Sequence, residues 1–324
     1  MRSPPLVAPF AAVERGTVQL LLQQLINGLV LGATYGLVAL GYTMVYGIVQ
    51  LINFAHGEIF MLGGFGALTT YLALPTGTPT GVALPVMLLG GMAVSITAAV
   101  LMERFAYRPL RGAPRLAPLI TALGVSIGLQ ELVRNFYPQA KSARNFPQLV
   151  NPDYQFHLGV GATISAPNLL TVVVAVIGML ALSTFVRRSR TGRAMQATAQ
   201  DPDTARLMGV DIDRIIVTAF VLGAGLAAVA GVAQGLRFGQ VDFKMGFLTG
   251  IKAFTAAVLG GIGNISGAVL GGFTLGLVEV LATQYAPAPF AGGAWKDAWA
   301  FVVLIVVLVF RPSGLLGERV AARA

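Results

Sequence analysis

The sequence predicts an all-α fold, a bundle of helices that crosses a membrane many times. Apolar residues make up 56% of the 324 positions and charged residues only 11%, whereas a soluble domain carries about a quarter charged residues. The apolar residues form long runs instead of a periodic stripe, so lipid or other helices must surround each helix on all sides. Arginines collect in the segments between these runs, which is the pattern that sets membrane topology.

Eight apolar runs approach the roughly 20 residues that a spanning helix needs. Charge, proline or glycine separates each run from the next, and we therefore predict about eight major spans, at 18–46, 53–73, 83–103, 116–134, 168–186, 215–236, 250–283 and 297–310.

The predicted membrane domain covers 18–317, between a flexible N-terminal tail at 1–17 and a C-terminal tail at 318–324. The first tail is rich in proline and has no continuous apolar core, so it does not resemble a cleaved signal peptide.

The arginines predict an orientation. They are concentrated in 104–115 and 187–214 and after the last run, and the positive-inside rule places these segments in the cytoplasm. Segments 74–82 and 135–167, with little charge, are then external. Run 250–283 must start and end on the same side to satisfy this assignment. The side on which the N-terminus lies stays open.

Two apolar segments are interrupted in ways that predict broken helices. Run 250–283 is too long for one crossing and is rich in glycine, so we expect two arms and a turn near Gly260–Gly267. The segment 47–57 places polar residues between the first two runs. Paired interruptions of this kind indicate a substrate pathway in transporters, although glycine is common in membrane helices. The candidate pathway or helix-break residues are Asn53, His56, Glu58, Gly260, Gly261, Gly263 and Asn264.

His56 and Glu58 have a second interpretation, in which both lie at the membrane interface and cap a helix end. A carboxylate within the bilayer is costly and usually faces a cavity or a partner, which favours the pathway. A zinc site is disfavoured, because the chain has no cysteine and only two histidines.

Small residues recur four positions apart in several runs, and this spacing lets helix backbones approach closely in lipid. Packing within the chain explains any one of these ladders more simply than a dimer interface does. The ladders are Gly28, Gly32 and Gly36; Gly223, Ala227, Gly231 and Gly235; Gly267 and Gly271; and Gly272 and Gly276.

The segment 187–214 predicts two short helices that project into the cytoplasm. Thr191 can cap the first, and Asp201 can cap the second, which Gly209 then ends. Such a compact, arginine-bearing surface suits the docking of a partner protein, the alternative being a passive loop. The candidate docking residues, for an ATPase partner, are Gly192, Arg193, Ala197, Asp201, Arg206 and Gly209.

Several classes of function are disfavoured. No phosphate-binding loop of the form G-x-x-x-x-G-K-[ST] is present, so any ATP hydrolysis must come from another chain, and no cofactor is expected. The net charge of +9 has no basic patch interleaved with aromatic residues, which argues against nucleic-acid binding. The few acids and histidines do not assemble into a catalytic set, which disfavours a membrane enzyme.

Four stretches, in order, resemble the LivH-type permeases of branched-chain amino acid ABC importers: 41–63, 103–111, 192–201 and 252–263. The resemblance implies a type II ABC importer-like permease in the cell inner membrane, which passes leucine, isoleucine or valine by alternating access. It also implies that 191–210 is the loop that couples to the ATPase.

The same resemblance implies several partners besides the lipid bilayer. These are a second, LivM-like permease, two cytoplasmic ATP-binding subunits and an extracytoplasmic amino-acid-binding protein. Alternatives remain open: a permease of this family for urea, short amides or other amino acids, or a stand-alone secondary transporter or channel.

Overall fold

The computed structural model describes residues 8–51, 53–114, 116–159, 161–311 and 313–317. Arg115 and the predicted C-terminal tail at 318–324 lie outside the described residues, as does 1–7. In the described part the helices are α1 Ala8–Val49, α2 His56–Leu72, α3 Thr80–Met102, α4 Leu116–Phe136, α5 Ala166–Arg188, α6 Arg190–Gln200, α7 Pro202–Leu207, α8 Ile212–Phe238, α9 Met245–Gly260, α10 Ile265–Tyr285 and α11 Lys296–Phe310.

The eight apolar runs become nine helices within the described residues, because run 250–283 is divided between α9 and α10. The predicted break is therefore confirmed. Seven helices are long and apolar enough to cross a membrane. The other two, α2 and α9, have 17 and 16 residues and extend about 25 Å at 1.5 Å per residue, slightly less than the hydrocarbon thickness.

The first helix starts earlier than predicted. It begins at Ala8, so that 8–17, assigned above to a flexible tail, are helical in the structure. The part that is apolar enough to span a membrane is Thr17–Val49, close to the predicted start of the membrane domain at residue 18.

The arginine-rich segments lie together at one end of the bundle, here called the arginine end. Arg108, in a short 3₁₀ turn that continues α3, pairs with Asp213 at the start of α8. The chain after α11 joins the same end, since Leu315 N donates to Leu259 O and Leu316 N to Gly260 O, at the end of α9.

The predicted external segments lie at the opposite end. Gln19 Nε2 donates to Gly161 O at 3.0 Å, and Gln23 Nε2 to Thr163 O at 3.0 Å, so the start of the α1 span contacts the long loop 137–165. This places the start of the α1 span opposite to the arginine end, a question that the sequence left open.

Four short strands depart from the all-α expectation, and all lie at this opposite end. β1 Arg144–Asn145 pairs antiparallel with β4 Gln240–Val241, and β2 Gln155–His157 pairs antiparallel with β3 Thr163–Ser165. The first pairing ties the α4–α5 loop to the α8–α9 connection, which confirms that both lie on one side.

The small-residue ladders pack helices of this chain against one another. A Cβ built at Gly272 of α10 would lie 2.6 Å from Gly36 N of α1, and one built at Gly231 of α8 would lie 3.0 Å from Gly64 N of α2. These distances leave no room for a side chain, so glycine permits contact between backbones. The interpretation as packing within the chain is the one that fits.

Candidate functional site

The two breaks meet at the arginine end of the bundle. A Cβ at Gly47, in the last turn of α1, would lie 3.4 Å from Gly263 Cα, in the turn between α9 and α10. Both breaks hold unusual backbone: Gln50 has φ of 53°, and Gly261 and Gly263 have φ of 105° and 94°. A positive φ on a non-glycine residue such as Gln50 is strained, and such strain collects at functional sites.

A small cavity of about 10 Å³ lies between the two breaks. It is lined by residues of α1, of the 50–55 link, of the start of α2 and of α9, together with Ile262 of the second break. Its volume is at the lower limit for one water molecule. Three lining atoms are buried without a hydrogen-bond partner in the described structure: Tyr42 Oη, Asn53 Nδ2 and His56 Nε2. Buried polar atoms normally have partners, so the cavity is chemically suited to a water or another polar group.

Asn53 and His56 connect this cavity to the rest of the bundle. Tyr107, which follows α3, donates its hydroxyl to Asn53 Oδ1 at 2.7 Å. The imidazole of His56 stands against Gly41 of α1, and a Cβ at Gly223 of α8 would lie 3.5 Å from its Cε1. The His56 ring therefore occupies the space where α1 and α8 cross. Gly41 and Gly223 leave room for it because they have no side chains.

Glu58 points away from the cavity. Its side chain is fully buried, and its Oε1 accepts from Ser126 Oγ at 3.0 Å and from Gln130 Nε2 at 2.7 Å, both on α4. The start of α2 has no side-chain capping bond, so Glu58 joins α2 to α4 and does not cap a helix. His56 and Glu58 thus face different helices, which does not fit a shared metal site.

The remaining break residues form the joint with the C-terminal segment. Asn264 Oδ1 accepts from Gly267 N at 3.0 Å and so caps α10, while its Nδ2 donates to Leu316 O at 3.0 Å. A Cβ at Gly261 would lie 2.7 Å from Gly317 Cα. Gly260 and Gly261 are therefore packing positions for backbone, and the structure shows no cavity-lining role for them.

Segment 187–214 contains the two predicted short helices, α6 and α7. The first cap is Ser189, whose Oγ accepts from Gly192 N at 2.8 Å, so the expectation for Thr191 is wrong by two positions. The second cap is Asp201 as predicted, since its Oδ1 accepts from Thr204 N at 3.0 Å. Gly209, with φ of 85°, follows the end of α7.

Gly192 cannot serve as a docking contact. It is buried, and a Cβ there would lie 2.5 Å from Val186 Cα in the last turn of α5. The structure corrects this candidate: glycine at 192 lets α6 turn tightly against α5. From the sequence alone, a glycine in the first turn of a helix suits a docking contact and a packing position equally well. Only the three-dimensional structure shows that α5 crosses α6 at this residue.

The other five docking candidates are exposed, namely Arg193, Ala197, Asp201, Arg206 and Gly209. Sequence reasoning missed the most exposed apolar residues of the segment, Leu207 and Met208, which are 87% and 81% accessible. Both lie at the end of α7. The available signal was two large apolar residues beside a predicted helix stop in an otherwise polar segment.

An ion-pair network behind these helices was also missed. Asp213 of α8 accepts from both Arg108 and Arg111, and Arg111 also pairs with Glu103. The Glu103 side chain is 1% exposed, so its charge depends on Arg111 for compensation. This clamp, defined as Glu103, Arg108, Arg111 and Asp213, fixes the end of α3 to the start of α8 beside α6 and α7.

A second charged group lies near the opposite end, between α1, α9, α10 and α11. Glu279 is fully buried and accepts from Lys252 Nζ at 2.9 Å and from Tyr35 Oη at 2.9 Å. Lys296 Nζ lies 3.2 Å from Glu279 Oε1, and Lys252 Nζ lies 2.5 Å from Asp297 Oδ1. These five residues are called the charge cluster below. The signal in the sequence was two opposite charges, Lys252 and Glu279, within the apolar run 250–283, where a charge is costly unless paired.

Comparison with known proteins gives one consistent family. The family described as "Branched-chain amino acid transport system / permease component" matches residues 24–308. The "High-affinity branched-chain amino acid transport system permease protein BraD" of Pseudomonas aeruginosa is 46% identical over 92% of this chain and 96% of its own. The corresponding protein LivH of Escherichia coli K12 is 43% identical over the same shares.

Among solved structures, PsaBC from Streptococcus pneumoniae in complex with Fab is similar with a TM-score of 0.48 and 16% identity, over 90% of this chain and 91% of that chain.

Proposed function

The chain belongs to the family of branched-chain amino acid transport permeases, and we propose from this that it is the membrane permease subunit of an ATP-driven importer for leucine, isoleucine and valine. It is a multi-pass membrane protein, which we place in the cell inner membrane. The partners we propose are a second, LivM-like permease, two cytoplasmic ATP-binding subunits and an extracytoplasmic amino-acid-binding protein.

One observation carries the coupling to an ATPase: Leu207 and Met208 stand almost fully exposed at the end of α7. They lie at the arginine end, which faces the cytoplasm by the positive-inside rule, so lipid does not cover them. Large apolar side chains exposed in this way mark a protein contact when polar residues surround them. Arg193 and Arg206 stand exposed on the same two helices and can pair with acids of the partner.

The clamp gives this docking surface a connection to the membrane helices. Only Ser189 separates α5 from α6, and four residues separate α7 from α8. Asp213, at the start of α8, holds the end of α3 through Arg108 and Arg111. A push on α6 and α7 by closing ATPase subunits is therefore delivered to α3, α5 and α8 together, which suits alternating access.

The docking proposal is tested with the reconstituted complex. We expect Leu207→Asp to lower the copurification of the ATP-binding subunit and to lower leucine uptake by about tenfold, because burying a carboxylate in an apolar contact is costly. The matched control is Leu158→Asp, an exposed leucine at the opposite end. Equal uptake and copurification for the two variants would refute the docking role.

The substrate class is tested separately, by uptake into proteoliposomes that contain the complete complex. Leucine, isoleucine and valine should be taken up in an ATP-dependent manner, with urea and short amides as the competing substrates. Uptake by the permease without any ATP-binding subunit would instead favour a stand-alone transporter.

A further inference from the structure

The charge cluster places two lysines and two carboxylates inside an apolar bundle. Lys252 lies in the middle of α9 and Glu279 in α10, and their side chains are 7% and 0% exposed. Lys296 and Asp297, in the first turn of α11, are 41% and 50% exposed. The cluster therefore extends from the external end of the bundle to its interior. Ionisable residues within membrane helices are expensive and usually mark a substrate or ion pathway.

The hydrogen-bonding capacity of the cluster is unevenly used. Glu279 accepts hydrogen bonds from Tyr35 and Lys252 and forms an ion pair with Lys296. Asp297 has only Lys252 as its ion-pair partner in the described structure, and Lys296 has only Glu279. A lysine ammonium carries three N–H donors, and an ionised carboxylate can accept about four hydrogen bonds. Lys296 can therefore donate further hydrogen bonds and Asp297 can accept further ones. The two residues are adjacent at the external end of the bundle.

An α-amino acid carries the complementary pair of charges, a carboxylate and an ammonium on one carbon. From this complementarity we infer that the charge cluster is the permease's recognition site for the zwitterionic head group of its substrate, which deepens the proposed function and rests on it. The substrate carboxylate binds Lys296 and Lys252, and the substrate ammonium binds Asp297 and then Glu279. The cluster itself contains two cations and two anions, so a zwitterion exchanges for its ion pairs without changing the buried net charge.

Apolar side chains stand beside these charges on the same helix faces. Leu248 precedes Lys252 by four residues and Phe301 follows Asp297 by four, a spacing that places each pair one turn apart. Both apolar residues are exposed in the structure, by 52% and 38%. They offer a surface for a leucine, isoleucine or valine side chain while the head group is held by the charges.

Binding is measured on the complete detergent-solubilised complex without the binding protein, by saturation-transfer difference NMR with leucine as the probe. We expect a leucine signal that falls by a factor of about 10 or more when the carboxylate or the ammonium is removed from the ligand. The comparison ligands are 4-methylpentanoate, which has only the carboxylate, and 3-methylbutylamine, which has only the ammonium. Equal signals for all three would overturn the inference.

Variants separate a recognition site from an ion pair that only holds helices together. Lys252→Met should abolish the leucine signal and uptake, whereas Lys244→Met, which removes an exposed cation at the start of the same helix, should leave both unchanged. Removing one member of a buried pair also destabilises a fold, so Lys252→Met alone does not decide.

The double variant Lys252→Met with Glu279→Leu decides, since apolar residues of similar volume can replace a buried pair without loss of stability. We expect it to recover the thermal stability of the complex but not leucine binding or uptake. Recovery of both would show a purely structural pair and overturn the inference, while the proposed function stands as long as the wild-type complex imports leucine. Failure of the wild-type complex to import any branched-chain amino acid would overturn the proposed function itself.

Discussion

The contact between α1 and α10 should tolerate no side chain at Gly272. A Cβ there would lie 2.6 Å from Gly36 N, 2.7 Å from Gly36 Cα and 2.8 Å from Gly32 O. Non-bonded heavy atoms prefer a separation of about 3.5–4.0 Å, so Gly272→Ala forces the helices apart by about 1 Å. All three opposing atoms belong to backbone, and no rotamer change can relieve the overlap.

The expected cost follows from this geometry. Overpacking a well-packed interior costs about 1–3 kcal/mol. The entropy of unfolding grows with chain length, so each kcal/mol lowers Tm by about 1.5 °C in a chain of 324 residues. We therefore expect Gly272→Ala to lower the Tm of the purified protein in mild detergent by about 3 °C. The measurement is tryptophan fluorescence during a thermal ramp, with size-exclusion chromatography to follow aggregation.

The matched control is Gly128→Ala on α4. No atom lies within 4 Å of a Cβ built at that position, so the methyl group meets open space, and alanine favours a helix over glycine by up to about 1 kcal/mol. We expect an unchanged or slightly raised Tm. If Gly272→Ala and Gly128→Ala melt at the same temperature, the backbone contact between α1 and α10 is not as close as the structure shows.

Three further changes test other contacts. Asp213→Ala releases Arg108 from the clamp and should preserve basal ATPase activity of the complex while lowering the uptake per ATP hydrolysed; an unchanged ratio would contradict a coupling role. Glu58→Leu removes the acceptor of the buried Ser126 hydroxyl and of the part-buried Gln130 amide on α4. It should lower stability by about 2 kcal/mol, seen as a lower Tm, whereas Glu58→Gln should retain most of it. Asn264→Ala removes the cap of Gly267 N and should cost about 1 kcal/mol, while Asn264→Asp should cost less if the capping bond is the main contribution.

Much of this fold was predictable because lipid imposes simple rules. A run of about 20 apolar residues must form a helix, since every backbone group needs an internal partner in the bilayer. The same rule predicted that run 250–283 would turn back, because its length exceeds one crossing and its glycines permit the turn. The structure confirms this with α9, a turn at 261–264 and α10.

What the sequence could not supply depends on contacts between distant segments. The side of the membrane on which the α1 span starts follows from the contact of Gln19 with Gly161, which lie 142 residues apart. The charge cluster likewise brings Tyr35 of α1 to Glu279 of α10. A single charge in an apolar run indicates that a partner exists, but the sequence alone does not say which residue it is.

Some of the candidate pathway residues lie where the sequence indicates, and others do not. Asn53 and His56 line the cavity between the breaks as a polar interruption suggests. Glu58, only two residues later, faces α4 instead, because successive helix positions differ in direction by about 100°. Gly192 was assigned wrongly for a different reason. A small residue allows close contact with a partner protein and equally with another helix of the same chain, and the sequence does not distinguish the two.

In the proposed alternating-access mechanism, the cavity between the breaks is the place where movements at the two ends of the molecule act on each other. α9 carries Lys252 of the charge cluster and, eight residues further, about 12 Å along its axis, Gly260 of the second break. A substrate that draws Lys252 away from Glu279 therefore acts on the helix whose end lines the cavity. From the cytoplasmic side, the clamp holds the end of α3, and Tyr107 transmits its position to Asn53 at the same cavity. We propose that leucine passes between the two breaks. A cavity of about 10 Å³ cannot admit it, so on this proposal the breaks separate during passage, and both inputs act on the segments that would move.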